Sequence, residues 1–100
     1  MKRFIVRYRV KPEQAAENQR LIEQVFAELG QTQPAGLRYA SFKYPDGVSF
    51  EHVASVETDD GANPLTQSPA FQAFQAGLKD RCDEPPAPAE VEAVGSYRFF

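Results

Sequence analysis

Strict alternation of apolar and polar residues marks the most strand-like stretch of the chain, residues 48–56. Its even-numbered positions are apolar, except that His52, the only histidine, falls among them. A period of two is typical of a strand with one face in an apolar layer. We therefore predict that His52 points into an apolar space. It needs a hydrogen-bond partner there, because an unpaired buried polar group costs free energy.

The pattern predicts a strand and then a helix at the start of the chain. Residues 2–10 alternate, with Tyr8 among the apolar, even-numbered positions of one face. Residues 12–29 carry apolar side chains at spacings of three, four and seven, which is typical of an amphipathic helix. Pro12 suits the first turn of this helix, and Gly30 is predicted to end it because glycine readily adopts the left-handed conformation.

A hairpin is predicted around the turn residues Pro45-Asp46-Gly47, with residues 37–44 as its first strand. A three-residue loop places Tyr44 opposite Val48 and sets the register of the two strands. The predicted helix-facing layer of this hairpin therefore contains Arg38, Phe42, Phe50 and His52.

The second half of the chain repeats the order of helix and strand. Ser68 and Pro69 suit the N-cap and first position of a helix. Apolar residues then recur at helical spacing, at Phe71, Phe74, Leu78 and Cys82. Residues 84–88 are rich in proline and are predicted to form an extended connector, and residues 90–100 a final strand.

The predicted order, β-α-β-β-α-β, indicates one α+β domain covering residues 1–100 with the ferredoxin-like plan. Its antiparallel sheet has the strand order 4-1-3-2, and both helices cover one face. The other face mixes charged with apolar residues, Arg7 and Glu51 beside Ile5 and Val53. A homodimer that packs two such faces together suits this mixture, and a solvated sheet face is the alternative.

Composition excludes several classes of function. The net charge is −3, so no basic field attracts nucleic acid or an anionic membrane. One cysteine, Cys82, permits no internal disulfide, and one cysteine with one histidine rules out the usual zinc sites. Arginines interrupt the N-terminal apolar positions, so we expect no signal peptide and a cytoplasmic protein.

Three segments together resemble a known group of proteins. They are the first strand (residues 2–10), Phe-Glu-His-Val-Ala-Ser-Val at 50–56, and Ser-Pro-Ala-Phe-Gln-Ala-Phe at 68–74. This order resembles the dimeric α/β-barrel superfamily, specifically small proteins of the antibiotic biosynthesis monooxygenase type. The resemblance implies a dimeric α/β barrel in which each subunit keeps a pocket between its sheet and its helices.

Members of that group include cofactor-independent monooxygenases acting on polycyclic phenols or quinols, heme-degrading enzymes and many proteins of unknown activity. Many have a histidine after Ser-Pro, where this chain has Ala70. The heme-degrading branch uses a histidine on the second helix and a tryptophan, whereas this chain has Gln72 and Gln75 on that helix and no tryptophan. Heme degradation is therefore not expected.

The candidate site combines this resemblance with the predicted layer. His52 is the candidate base for deprotonating a phenol, and Tyr8 and Arg38 are candidate donors to the resulting anion. Candidate ligand-binding residues are Arg38, Phe42, Phe50, Asn63 in the loop over the pocket, Phe71, Phe74 and Leu78. Against this stands the simpler interpretation that His52 is a hydrogen-bonded core residue and that the phenylalanines are ordinary core.

The sequence thus predicts a monooxygenase-like protein that binds a small aromatic ligand, of phenol or quinol type, without a cofactor. The alternative is a non-catalytic small-molecule-binding or regulatory dimeric barrel. A third interpretation, a structural subunit of a larger assembly, rests only on the proline-rich segment 84–89.

Overall fold

Four strands form one antiparallel sheet in the structure, a computed structural model that describes all 100 residues. The strands are β1 (Lys2–Val10), β2 (Leu37–Lys43), β3 (Ser49–Val56) and β4 (Cys82–Val91). The helices are α1 (Ala15–Thr32), α2 (Pro69–Ala76) and α3 (Leu78–Arg81), with single 3-10 turns at Pro12–Gln14 and Pro64–Gln67. The strands are arranged β2-β3-β1-β4, which is the predicted order 4-1-3-2, so the ferredoxin-like plan is confirmed.

The core lies between the sheet and the helices. Tyr8 and Phe50 are each 2% exposed and His52 is 5% exposed, so the prediction that even-numbered positions of these strands point inward is confirmed. The buried apolar cluster consists of Tyr8, Val10, Leu21, Ile22, Val25, Phe50, Leu65, Phe74 and Leu78. None of the helices combines the length and apolar composition needed to cross a lipid bilayer.

Helix α1 ends at Thr32, so the prediction that Gly30 ends it is wrong. Gln33 instead adopts the left-handed conformation, with φ of 45°, and its N–H donates to the Leu29 carbonyl. Pro34 follows directly. Because proline lacks an N–H and disfavours right-handed helical backbone at the residue before it, the helix cannot continue through Gln33 and Pro34.

The hairpin loop has four residues, 45–48, because the Asp46 side chain organises it. The Asp46 carboxylate accepts hydrogen bonds from the backbone N–H groups of Val48 (2.9 Å) and Ser49 (2.8 Å). The backbone N–H of Tyr44 then donates to the Ser49 carbonyl at 2.9 Å, not to Val48. The strands therefore meet one residue out of the predicted register.

This shift turns β2 over, because a slip of one residue moves every side chain to the other face. Ser41 pairs with His52 and Tyr39 with Ala54. The prediction that Arg38 and Phe42 face the helices is therefore wrong: Phe42 is 49% exposed on the outer face of the sheet. Tyr39 and Ser41 take the inner positions.

The C-terminal part of the sheet also differs from the prediction. The proline-rich segment is itself β4, whereas residues 92–100 contain no regular element and are exposed. Strand β4 lies at an edge of the sheet. Proline is tolerated there, because an edge strand does not need every backbone N–H as a donor. Cys82 begins this strand instead of ending the second helix, which Gly77 divides into α2 and α3.

Candidate functional site

A cavity of about 320 Å³ lies between the sheet and helix α2. Its lining is mostly hydrophobic, and residues of β4 close one side through Pro86 and Pro88. Six of the nine predicted site residues line this cavity: Tyr8, His52, Asn63, Phe71, Phe74 and Leu78.

The other three predicted residues lie elsewhere. Phe50 is buried beneath the site, where it stacks on Tyr8 with ring centroids 5.7 Å apart. Arg38 pairs with Glu57, with 3.2 Å between Nε and Oε2, on the outer face. Phe42 points outward for the same reason, the shifted register of the hairpin. Arg38 is therefore not available as a donor to a ligand in the cavity.

Both ring nitrogens of His52 have hydrogen-bond partners. The Tyr8 hydroxyl lies 2.7 Å from Nε2, and the hydroxyls of Tyr39 and Ser41 each lie 2.7 Å from Nδ1. The prediction that a buried His52 requires a partner is confirmed by these contacts. The partners come from both strands that flank β3, so pairing within the sheet assembles this part of the site.

The hydrogen bonds continue beyond Tyr8 into the helices. Asn18 of α1 is fully buried, and its side-chain amide donates to the Tyr8 hydroxyl at 2.9 Å. The Nε of Arg81, at the end of α3, donates to the Asn18 carbonyl oxygen at 3.1 Å. We call the connected side chains Arg81, Asn18, Tyr8, His52, Tyr39 and Ser41 the polar network.

Gly77 makes room for the arginine of the polar network. A Cβ atom at Gly77 would lie 3.1 Å from a terminal nitrogen of Arg81, which is tighter than most real contacts. The guanidinium also donates to the Phe74 carbonyl at 2.8 Å. The glycine that interrupts the predicted second helix thus permits the arginine to turn back under that helix.

Burial keeps the groups at the cavity wall uncharged. It lowers the pKa of His52 from 6.5 to about 4, so the imidazole is neutral at neutral pH. Burial also raises the pKa of Tyr39 to about 12, although the nearby hydroxyl of Ser41 opposes this effect. The pKa of Tyr8 is raised by burial as well, and the hydrogen bond from Asn18 opposes it. A neutral imidazole therefore lies between two protonated phenols.

Aromatic rings surround these polar groups. Tyr39 stacks on Phe26 with centroids 5.2 Å apart, and Phe71 meets the edge of Tyr39 at 6.3 Å. Among the remaining polar lining residues, Asn63 uses its side-chain oxygen to cap the turn at Leu65. That leaves the amide N–H groups of Asn63 free for a ligand. The arrangement suits a flat ligand that carries one or two polar atoms.

Four members of the polar network were not identified from the sequence: Asn18, Tyr39, Ser41 and Arg81. Asn18 lies on the same helix face as Leu21, Ile22 and Val25, and a polar residue on an apolar face is a usable signal. Arg81 likewise follows Leu78 at a spacing of three. Tyr39 and Ser41 depend on the register of the hairpin, which the turn residues alone did not reveal.

Comparison with known proteins finds matches among solved structures. No protein-family model matches the chain, and a search of curated proteins finds no relative. Several solved structures do match. Rv0793 from Mycobacterium tuberculosis has 14% identity and a TM-score of 0.76, covering 95% of this chain and 96% of that one. An antibiotic biosynthesis monooxygenase has 16% identity and a TM-score of 0.75, covering 95% and 100%.

A third match is SnoaB from Streptomyces nogalater, a cofactor-independent oxygenase. It has 16% identity and a TM-score of 0.70, covering 97% of this chain and 96% of that one. At these identities the comparison establishes a shared fold. The predicted likeness to antibiotic biosynthesis monooxygenase structures is thereby confirmed at the level of the fold.

Proposed function

We propose that this chain, which has the fold of antibiotic biosynthesis monooxygenases, binds a small aromatic ligand of phenol or quinol type and oxygenates it without a cofactor. The main support is the neutral His52, held between the hydroxyls of Tyr8 and Tyr39 at the wall of an aromatic cavity. The similarity in fold to a cofactor-independent oxygenase adds to this support.

The cavity sets the size of the ligand. Its volume of about 320 Å³ is at the lower end of the range for small-molecule sites, which favours a compact ring system. Phe71 and Phe74 supply apolar faces, and the hydroxyls of the polar network supply the polar contacts. A phenolic oxygen directed at these hydroxyls would leave the ring system against the aromatic side chains.

In the proposed reaction the ligand supplies the electrons and dioxygen accepts them. For an anthrone, the ring methylene loses its two hydrogens, one atom of dioxygen becomes the new carbonyl oxygen, and the other leaves with both hydrogens as water. The protein must stabilise the ionised ligand that reacts with dioxygen. Two roles are available to His52: it accepts the proton of the ligand, or it positions hydroxyl groups that donate to the phenolate.

Oxygen consumption with a panel of hydroquinones and anthrones tests the proposal. We expect the wild type to consume oxygen with at least one of them, and His52→Ala to be slower by about a hundredfold. Gln24→Ala, an exposed position of α1 without side-chain hydrogen bonds, is the matched control and should behave like the wild type. Equal rates for His52→Ala and the wild type would remove His52 from the mechanism. Ligand binding without oxygen consumption would support the non-catalytic alternative instead.

We also propose that two copies pack their outer sheet faces together as a homodimeric barrel. That face carries the exposed ring of Phe42 beside the partly exposed Ile5 and Val53. Apolar side chains exposed beside charged ones on a sheet face favour packing against a second copy over contact with water.

A cytoplasmic location is part of the same proposal. Its support is the single cysteine, Cys82, which is free in the structure. Proteins of oxidising compartments commonly use cysteines in pairs, whereas a reducing compartment keeps a thiol free.

A further inference from the structure

The polar network ends at a buried cation that lacks a counter-ion. Arg81 is 7% exposed, and none of the three salt bridges of the chain includes it. Its guanidinium lies 5.3 Å from the ring centroid of Phe74 and donates to a carbonyl oxygen and an amide oxygen. Burying a charge without an opposite charge is costly, so stability alone does not explain an arginine at this position.

We infer that Arg81 sets the direction of every hydrogen bond in the polar network, so that His52 carries its proton on Nδ1 and Tyr39 offers its hydroxyl proton to the cavity. Arg81 is thus a positioning residue that acts through Asn18, Tyr8 and His52. The assignment of the tautomer follows from the hydrogen-bond network and requires no ligand. The consequence for a ligand rests on the function proposed above.

The direction of the hydrogen bonds is set first by the guanidinium of Arg81, which has donors and no acceptor. Asn18 must therefore turn its carbonyl oxygen to Arg81, and its amide N–H donates to the Tyr8 oxygen. The proton of the Tyr8 hydroxyl then has one acceptor within reach, the Nε2 atom of His52 at 2.7 Å. If Nε2 carried the proton instead, the hydroxyl of Tyr8, a side chain only 2% exposed, would be a donor without an acceptor in the protein.

A neutral imidazole with an accepting Nε2 carries its proton on Nδ1. This N–H faces the hydroxyl oxygens of Tyr39 and Ser41, both at 2.7 Å. It donates to the hydroxyl oxygen of Tyr39, of Ser41 or of both. Because Nδ1 acts as a donor, it cannot accept the Tyr39 proton, and the Tyr39 hydroxyl makes no other hydrogen bond in the structure. Because Tyr39 lines the cavity, that proton is available to a ligand.

The site is therefore organised to donate to an oxygen that is an acceptor or an anion, such as a phenolate or a quinone carbonyl. The opposite tautomer would direct the Tyr39 proton at Nδ1 and leave the cavity without this donor. With the hydrogen bonds in this direction, the role of His52 is to position the Tyr39 hydroxyl as a donor, and not to accept the proton of the ligand. Preorganised donors of this kind stabilise charge that develops on a ligand oxygen.

The tautomer can be measured directly, because the chain contains one histidine. In protein labelled with nitrogen-15 at histidine, two-dimensional NMR distinguishes a protonated from an unprotonated ring nitrogen. For the wild type at neutral pH we expect a protonated Nδ1 and an unprotonated Nε2. A protonated Nε2 in the wild type would overturn the inference.

Asn18→Asp is designed to reverse the direction of the hydrogen bonds between residue 18, Tyr8 and His52, while keeping the shape of the side chain at residue 18. A carboxylate only accepts, and it can pair with Arg81 and receive the proton of the Tyr8 hydroxyl. The Tyr8 oxygen would then accept from His52, so the protonated nitrogen should change from Nδ1 to Nε2. Arg81→Lys, which keeps a buried donor, should leave the wild-type tautomer in place. An unchanged tautomer in Asn18→Asp would show that Arg81 and Asn18 do not set the direction.

Binding of 4-nitrophenolate, followed by its absorbance, tests the donor at the cavity. Because a hydrogen bond to a charged group is lost, Tyr39→Phe should bind this anion about tenfold more weakly than the wild type or more. Gln24→Ala should bind as the wild type does. Equal affinity for Tyr39→Phe and the wild type would overturn the role of the Tyr39 proton. Absence of binding to the wild type would overturn the proposed ligand class, while the tautomer measurement would still decide the role of Arg81.

Discussion

The buried imidazole is expected to make the stability of the fold depend on pH between 6.5 and about 4. His52 is 5% exposed, and burial lowers its pKa from 6.5 to about 4. In the unfolded chain the imidazole binds a proton as the pH falls below 6.5. In the folded protein it does so only near pH 4, so within this window the unfolded state holds more protons than the native state.

The sign and size of the effect follow from this difference in bound protons. Where the unfolded state binds more protons, the free energy of unfolding rises with pH. The stability is therefore complete above pH 6.5 and decreases by about 1.4 kcal/mol for each pH unit below it. Down to about pH 4 the loss from His52 amounts to about 3 kcal/mol, a large share of the 5–15 kcal/mol typical of a folded domain.

Urea unfolding of the wild type and His52→Gln, at a series of pH values across the window, measures this loss. His52→Gln removes the titrating group and keeps hydrogen-bonding atoms, so it should be less stable than the wild type at pH 7. The difference in free energy of unfolding should shrink by about 3 kcal/mol as the pH approaches 4.

The comparison between variants is needed because carboxylates also bind protons as the pH falls. Hydrogen bonds lower the pKa of Glu17, Asp46 and Glu57, and their stabilisation is lost as the pH falls in both proteins. Gln24→Ala should follow the wild-type curve throughout. A constant difference between His52→Gln and the wild type from pH 7 to pH 4 would refute the reasoning.

Three further predictions concern the end of helix α1, the loop before strand β2 and the outer face of the sheet. Gly30→Ala should stabilise the protein by about 1 kcal/mol, because Gly30 is helical and the added Cβ would meet no atom beyond its chain neighbours and the helix's own backbone within 4 Å. Gly36→Ala should destabilise the protein in the same urea assay, because φ is +77° and the Cβ would lie 2.7 Å from Thr58 Cγ2. A change in stability of the opposite sign at either glycine would contradict the prediction for that position. Val53→Glu should convert the proposed dimer into a monomer in analytical ultracentrifugation. A wild type that sediments as a monomer at micromolar concentration would exclude the dimer.

Much of the fold could be predicted from local patterns. Residues 2–10 form a strand as predicted, and Ser68 caps α2 by accepting from the backbone N–H of Phe71. These features depend on neighbours in the sequence, so the sequence contains their cause. The prediction for the proline-rich segment was wrong, because prolines are tolerated in a strand only at an edge of the sheet. Whether a strand lies at an edge is a property of the assembled fold.

The hairpin is a second feature that the local sequence did not predict correctly. The turn residues Pro45-Asp46-Gly47 predicted a tight loop, and a tight loop exists. Its length was wrong by one residue because the Asp46 side chain binds two backbone N–H groups beyond the turn. That shift of one residue placed Tyr39 and Ser41, instead of Arg38 and Phe42, on the inner face, and so changed which residues of β2 lie beside His52.

By itself the sequence determined that His52 would be buried, since apolar alternation selects one face of a strand and hydrophobic burial needs no particular partner. Only the tertiary structure decided which groups meet its ring, because hydrogen bonds require defined distances and angles between atoms brought from separate elements. Tyr8 comes from β1 and Tyr39 from β2, and the helices contribute Asn18 and Arg81. No local pattern carries that information, so the burial of the histidine was predictable and its chemistry was not.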